Sequence, residues 1–121
     1  MDFPGHDHVY KCIPDVLGNK GSETPFALYL KGITQDEFDA AVHTDAVARL
    51  NFSIDVAMQM SHDNNKKVIG EHVDRIEGLT VGGKPLTSFD ELCASGPREI
   101  VAWITRAVYS TQFLVENEVK N

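Results

Sequence analysis

The sequence predicts an α+β fold that is mostly α-helical, and three observations predict it. Near the N-terminus, Phe26, Leu28 and Leu30 alternate with Ala27, Tyr29 and Lys31, the period of two that a half-buried strand requires. From Thr34 onward, and again from Pro97, apolar residues return at spacings of three and four, which gathers them on one stripe of a helix. Between those helical stretches Gly82-Gly83 marks a tight reversal. The expected architecture is an N-terminal hairpin, two to three central helices, a small Gly-Gly hairpin and a long C-terminal helix.

Residues 9–14 and 25–32 read as the strands of the first hairpin, with Phe26, Leu28 and Leu30 facing the core. The long loop between them holds Gly18-Asn19-Lys20-Gly21-Ser22, residues that tolerate positive φ. Thr34 followed by Glu37 forms a capping box, in which each side chain satisfies a backbone N–H that the helix start leaves free. The stripe that follows, Phe38, Val42, Ala46, Leu50, Ile54 and Ala57, predicts one continuous helix. Residues 50–60 also alternate strictly, which is a strand template; helix is preferred because Ala and Met are good helix formers and no turn signal interrupts the stripe. His62-Asp63-Asn64-Asn65 reads as a break, and Val68, Ile69, His72, Val73 and Ile76 as a second, shorter helix.

Residues 79–81 and 84–86 flank Gly82-Gly83, and Pro85, which cannot donate to a ladder, places its strand at an edge. Ser88 to Glu91 repeats the capping box ahead of a short helix over Phe89 and Leu92. Gly96-Pro97 opens the last helix, with Glu99 near the positive end of its dipole. The stripe Ile100, Trp103, Ile104, Ala107, Val108, Thr111, Leu114 and Val115 predicts a single helix from residue 97 to about 119, spanning roughly 35 Å.

The 121 residues suit a single domain, 1–121, long enough to bury roughly two-thirds of its unfolded surface. Residues 1–8 are expected to form a flexible arm and 117–121 a frayed tail. A net charge of −7 sets the surface against phosphate backbones and anionic membranes, so neither nucleic acid nor a membrane is the expected partner. No stretch nears the roughly 20 apolar residues of a membrane span, and the start, Met1-Asp2-Phe3-Pro4-Gly5-His6, lacks the character of a secretory signal. The expectation is a soluble chain that stays in the cytoplasm where it is made, with Cys12 and Cys93 as free thiols.

Each candidate for bond chemistry has a plainer reading. His6, His8 and Cys12 offer metal ligands at short spacing, but a zinc site needs about four, and His43, His62, His72 and Cys93 are scattered. Neither cysteine sits in a nucleophile motif, and Cys93 reads as a small buried hydrophobe. Asp36, Glu37 and Asp39 suit the first turn of a helix on electrostatic grounds alone. Gly78, Gly82, Gly83 and Lys84 lack the phosphate-loop pattern, since Pro85 follows the lysine. The expectation is therefore a protein that is not an enzyme, with no catalytic residue, no metal and no cofactor. Phe52, Met58 and Met60 suit an adaptable partner groove, with core packing the preferred use. Trp103 serves either as a core anchor or as an interface residue. The expected partner-binding set is Trp103, Phe113, Glu116, Glu118 and Lys120, around the final helix.

Three stretches resemble the small proteins encoded among the tail and neck genes of tailed bacteriophages, particularly the tail assembly chaperones. Residues 25–34 resemble that family's opening strand and capped helix, 76–86 its mid-chain turn, and 109–121 a final helix ending in Glu-x-Lys-Asn. The resemblance covers about a third of the chain and omits residues 43–65. It implies a protein-interaction factor that binds the tape-measure protein or tail-tube subunits in the host cytoplasm during assembly, with self-association compatible. The alternative it implies is a structural or adaptor component of the virion neck or tail.

Overall fold

The computed structural model describes residues 1–120. Strand β1 (Tyr10–Cys12) and strand β2 (Ala27–Leu30) pair antiparallel with Tyr10 opposite Leu30 and Cys12 opposite Leu28, the expected hairpin. Their long loop is closed by one side chain. Buried Asn19 donates from Nδ2 to the carbonyls of Pro14 and Phe26, at 3.1 and 3.0 Å, and accepts the Phe26 N–H at 2.8 Å. The amide thereby replaces backbone pairing that the loop cannot supply.

Helix α1 (Gln35–Asn51) starts where expected, with both halves of the Thr34–Glu37 capping box made. It then departs from the single long helix. The chain breaks at Phe52-Ser53, and helix α2 (Ile54–Glu71) returns antiparallel beside α1. Residues 54–60 are helical, as preferred, but His62-Asp63-Asn64-Asn65 lies inside α2 and is no break. Those polar residues have helical uses: Asp63 accepts from Gln59 one turn back, and Asn64 donates across to the Ala41 carbonyl at 3.1 Å.

The second correction concerns residues 73–77. They form strand β3 (Val73–Glu77), which adds to β2 with Leu28 opposite Ile76 and completes a three-stranded sheet in the order β1-β2-β3. The helical spacing of Val73 and Ile76 was coincidental, because β2 offered an open edge whose N–H and C=O groups require partners.

Strands β4 (Thr80–Val81) and β5 (Lys84–Pro85) form the Gly-Gly hairpin, with φ of 60° and 78° at Gly82 and Gly83. Helix α3 (Phe89–Ser95) follows the Ser88 cap. The expected second capping box is only half made: Ser88 accepts the Glu91 N–H, but the Glu91 carboxylate turns to the Thr87 and Ser88 hydroxyls in place of the Ser88 N–H.

The expected long C-terminal helix is two. Helix α4 (Arg98–Val108) ends at Tyr109, and Ser110 recaps helix α5 (Thr111–Asn117) by accepting the Phe113 N–H. The turn between them lets Leu114 re-enter the core instead of running past the domain edge. Nor do the residues after α5 simply fray. Glu118 bridges to Cys12, and the Val119 N–H donates to the Lys11 carbonyl at 2.8 Å, so the chain adds to the free side of β1. The rest of that expected tail, at Asn121, lies outside the described residues.

The core sits between one face of the sheet and α3, α4 and α5, with the end of α2 entering it through buried Ile69. Cys12, Leu28, Leu30 and Ile76 meet Leu92, Ile100, Ile104, Val108 and Leu114 there, nearly all without solvent exposure. Each such aliphatic side chain contributes about 1.5–3 kcal/mol through burial.

A candidate interaction surface on the helical hairpin

Helices α1 and α2 pack mainly on each other, and the seam between them is built from small or polar residues. Ala41, Asp45 and Ala48 recur at helical spacing on α1, and Ala57, Ser61 and Asn64 on α2. Ala48 and Ala57 are buried. Small side chains let two backbones approach closely but leave almost no apolar volume between them. The large apolar residues consequently stand outside the seam. Nine of them remain exposed on this hairpin, with Leu50 83%, Ile54 76%, Met58 65% and Val42 52% accessible, beside Phe38, Val47, Phe52, Val56 and Met60.

On one side Phe38, Val42, Phe52, Ile54 and Met58 border a shallow groove along the hairpin. Its outer part, of about 640 Å³, is lined by Arg49, Phe52, Ile54, Ala57, Met58 and Ser61. Ser61 also lines the next hollow inward, which continues past Phe38, Val42 and Asp45 to Tyr109. The Ser61 hydroxyl is buried and, among the described residues, has no hydrogen-bond partner.

The base of the hairpin is held more firmly. His72, buried just after α2, hydrogen-bonds through Nδ1 to the Val68 carbonyl at 2.7 Å and through Nε2 to the Glu37 carboxylate at 2.8 Å. One imidazole thus ties the start of α1 to the end of α2. Burial pushes the Glu37 carboxyl upward, but the Thr34 N–H and hydroxyl and the neighbouring His72 outweigh it and hold the group below its ordinary value of 4.5. Tyr109 adds an edge-to-face contact with Phe38, centroids 6.1 Å apart, and donates its hydroxyl to Asn65 at 3.0 Å.

The residues expected to bind a partner lie elsewhere, and the fold brings only some together. Trp103 and Phe113 pack at 5.0 Å between centroids, half-buried, with the Arg106 guanidinium 4.2 Å above the Phe113 ring. Glu116 is exposed and accepts from Gln112. Glu118 is drawn away to His8, 2.7 Å distant, at the edge of β1, and exposed Lys120 follows it.

Of the other candidates, Cys12 is buried in the core, where desolvation and the nearby Glu118 push its thiol up to about 12. That leaves almost no thiolate at neutral pH. Desolvation raises the half-buried Cys93 thiol as well. Among the described residues no three His, Cys, Asp or Glu side chains are grouped to hold a metal ion. None of the described helices is long and apolar enough to cross a membrane.

Sequence reasoning set the hairpin aside by assigning Phe52, Met58 and Met60 to the core. A signal was present in residues 50–60. Strict alternation within a helix puts apolar residues on opposite faces, and a helix lying on one core buries only one of them. Comparison with protein-family models, with curated proteins and with solved structures finds no match to this chain.

Proposed function

We propose that this chain acts by protein–protein contact and that the α1–α2 hairpin is its principal contact surface. The observation that carries the reading is that nine large apolar side chains are left open on the hairpin, with Phe38, Val42, Phe52, Ile54 and Met58 gathered along one groove, as interaction surfaces require. A groove of small residues between apolar ridges suits the apolar face of another helix.

The narrower proposal is a factor in bacteriophage tail assembly that binds the tape-measure protein or tail-tube subunits. It rests on the resemblance of residues 25–34, 76–86 and 109–121 and on the surface formed by half-buried Trp103 and Phe113 with exposed Glu116, where a partly helical partner would dock. Co-expression with tape-measure fragments followed by affinity capture tests it. A stoichiometric complex, weakened by Trp103→Ala, is the expected result; elution without partner across several fragments counts against the proposal. The alternative, a permanent neck or tail component, predicts stoichiometric amounts in purified particles by mass spectrometry, whereas a chaperone is absent from them.

A further inference from the structure

The groove and the ridges that border it lie on one face of the same hairpin, which is the arrangement a self-complementary surface requires: ridge meets groove, and groove meets ridge. We propose that two copies of this chain pair through their α1–α2 hairpins, antiparallel, as a four-helix bundle with its two-fold axis crossing the middle of the groove. The proposal rests on reading the hairpin as a contact surface and names its occupant as a second copy.

Area, charge and polar satisfaction each support that occupant. Phe38, Val42, Phe52, Ile54 and Met58, which border the groove, leave roughly 550 Å² open to solvent, about two-thirds of the about 800 Å² per partner of a standard interface. The chain carries −7 overall and the hairpin, residues 35–71, seven acids against three bases, a net −4, but among the described residues the only charged side chains lining the groove are Asp45 and Arg49, whose charges cancel. A second copy seated in the groove therefore meets a lining without net charge, with the hairpin's excess acidic residues outside that lining.

Asp45 and Arg49 are 3.1 Å apart on adjacent turns of α1, at mid-groove. A two-fold axis between them sets the Asp45 of one copy opposite the Arg49 of the other. The same pairing brings the tip of one hairpin, at Phe52 and Ile54, against the Phe38–Tyr109 end of the second groove. It also places a new backbone over Ser61, whose hydroxyl lacks a partner among the described residues of its own chain.

Sedimentation velocity on the full chain across the micromolar range tests the pairing. The expected species has twice the 13.4 kDa of one copy. Ile54→Glu with Met58→Glu should return it to a single mass with an unchanged circular dichroism spectrum and, at a dilution where the parent is also a single copy, an unchanged urea midpoint, since both side chains are exposed in the single copy. Asp45→Arg should weaken pairing about tenfold or more, and Asp45→Arg with Arg49→Asp should restore it, because the crossed contacts are then exchanged. A single mass throughout, a dimer that survives the glutamates, or a charge exchange without rescue overturns the proposal. Tape-measure capture is read separately at the Trp103–Phe113 surface, so failure of either idea is visible without the other.

Discussion

Leu28 and Leu50 are the same side chain in two settings. Leu28, on the middle strand, is fully buried against α4, whereas Leu50, near the tip of the hairpin, keeps 83% of its surface accessible. The first belongs to a platform of sheet and three helices whose apolar residues converge on one core. The second belongs to a pair of helices that touch through Ala48 and Ala57 and send their larger residues outward. Seam composition makes the difference: alanines allow close approach, but each buries too little surface to account for a helix of this length. The hairpin is held at its base, and its outer half is left with apolar surface to share.

The sharpest way to break that comparison is to truncate both leucines. Leu28→Ala should cost about 2–5 kcal/mol in urea unfolding, from lost transfer energy and the cavity left behind. Leu50→Ala in dilute solution should change stability by no more than about 0.5 kcal/mol, as exposed positions generally do. Equal losses would mean that the hairpin is packed as tightly as the platform.

Next in size is the tie at the base. His72→Ala removes a buried ring with both nitrogens engaged and should cost about 2–3 kcal/mol, the range for hydrogen bonds involving charged groups and for buried partners left unpaired. Native-state hydrogen exchange should show α1 and α2 opening faster while α4 keeps its protection relative to global unfolding. Uniform loss across all helices would instead make hairpin and platform one cooperative unit. Thr34→Ala removes half of the capping box and should cost about 1 kcal/mol, with the loss of amide protection confined to the first turn of α1.

Acid gives the smallest effect. Glu37 has a lowered value in the folded chain, so it contributes stability above its ordinary value of 4.5, and that contribution is lost as the pH falls through the lowered one. The carboxylate is partly exposed, so solvent screening keeps the contribution modest. Glu37→Gln should flatten this part of the stability profile in urea titrations at descending pH. An unchanged profile would sever His72–Glu37 from the stability of the hairpin.

Much of this fold was legible from local chemistry. The capping box at Thr34, the glycine turn at Gly82-Gly83, the alternating strand at residues 27–30 and the apolar stripe through Ile100, Ile104 and Val108 all act within a few residues of themselves. Their outcomes follow from backbone geometry and periodicity. The misread segments had more than one local solution. Val73 and Ile76 satisfy helical spacing and a short strand equally well. At residues 52–53 the apolar stripe runs through the break without a glycine or proline to announce it, and Ser110, a competent cap, interrupts the stripe of the last helix.

The candidate surface was less legible than the fold. Phe52, Met58 and Met60 were visible as a groove-forming set, yet periodicity says only that residues share a face and is silent on what that face meets. The chain by itself determined its class, its acidic balance, its helix starts and its two hairpin turns, because each depends on contacts close in sequence. Only the tertiary structure decided that residues 73–77 complete a sheet, that α1 and α2 stand largely apart from the core, and that Glu118 turns back to His8. Those outcomes depend on which edge, groove or charge a distant segment happens to meet.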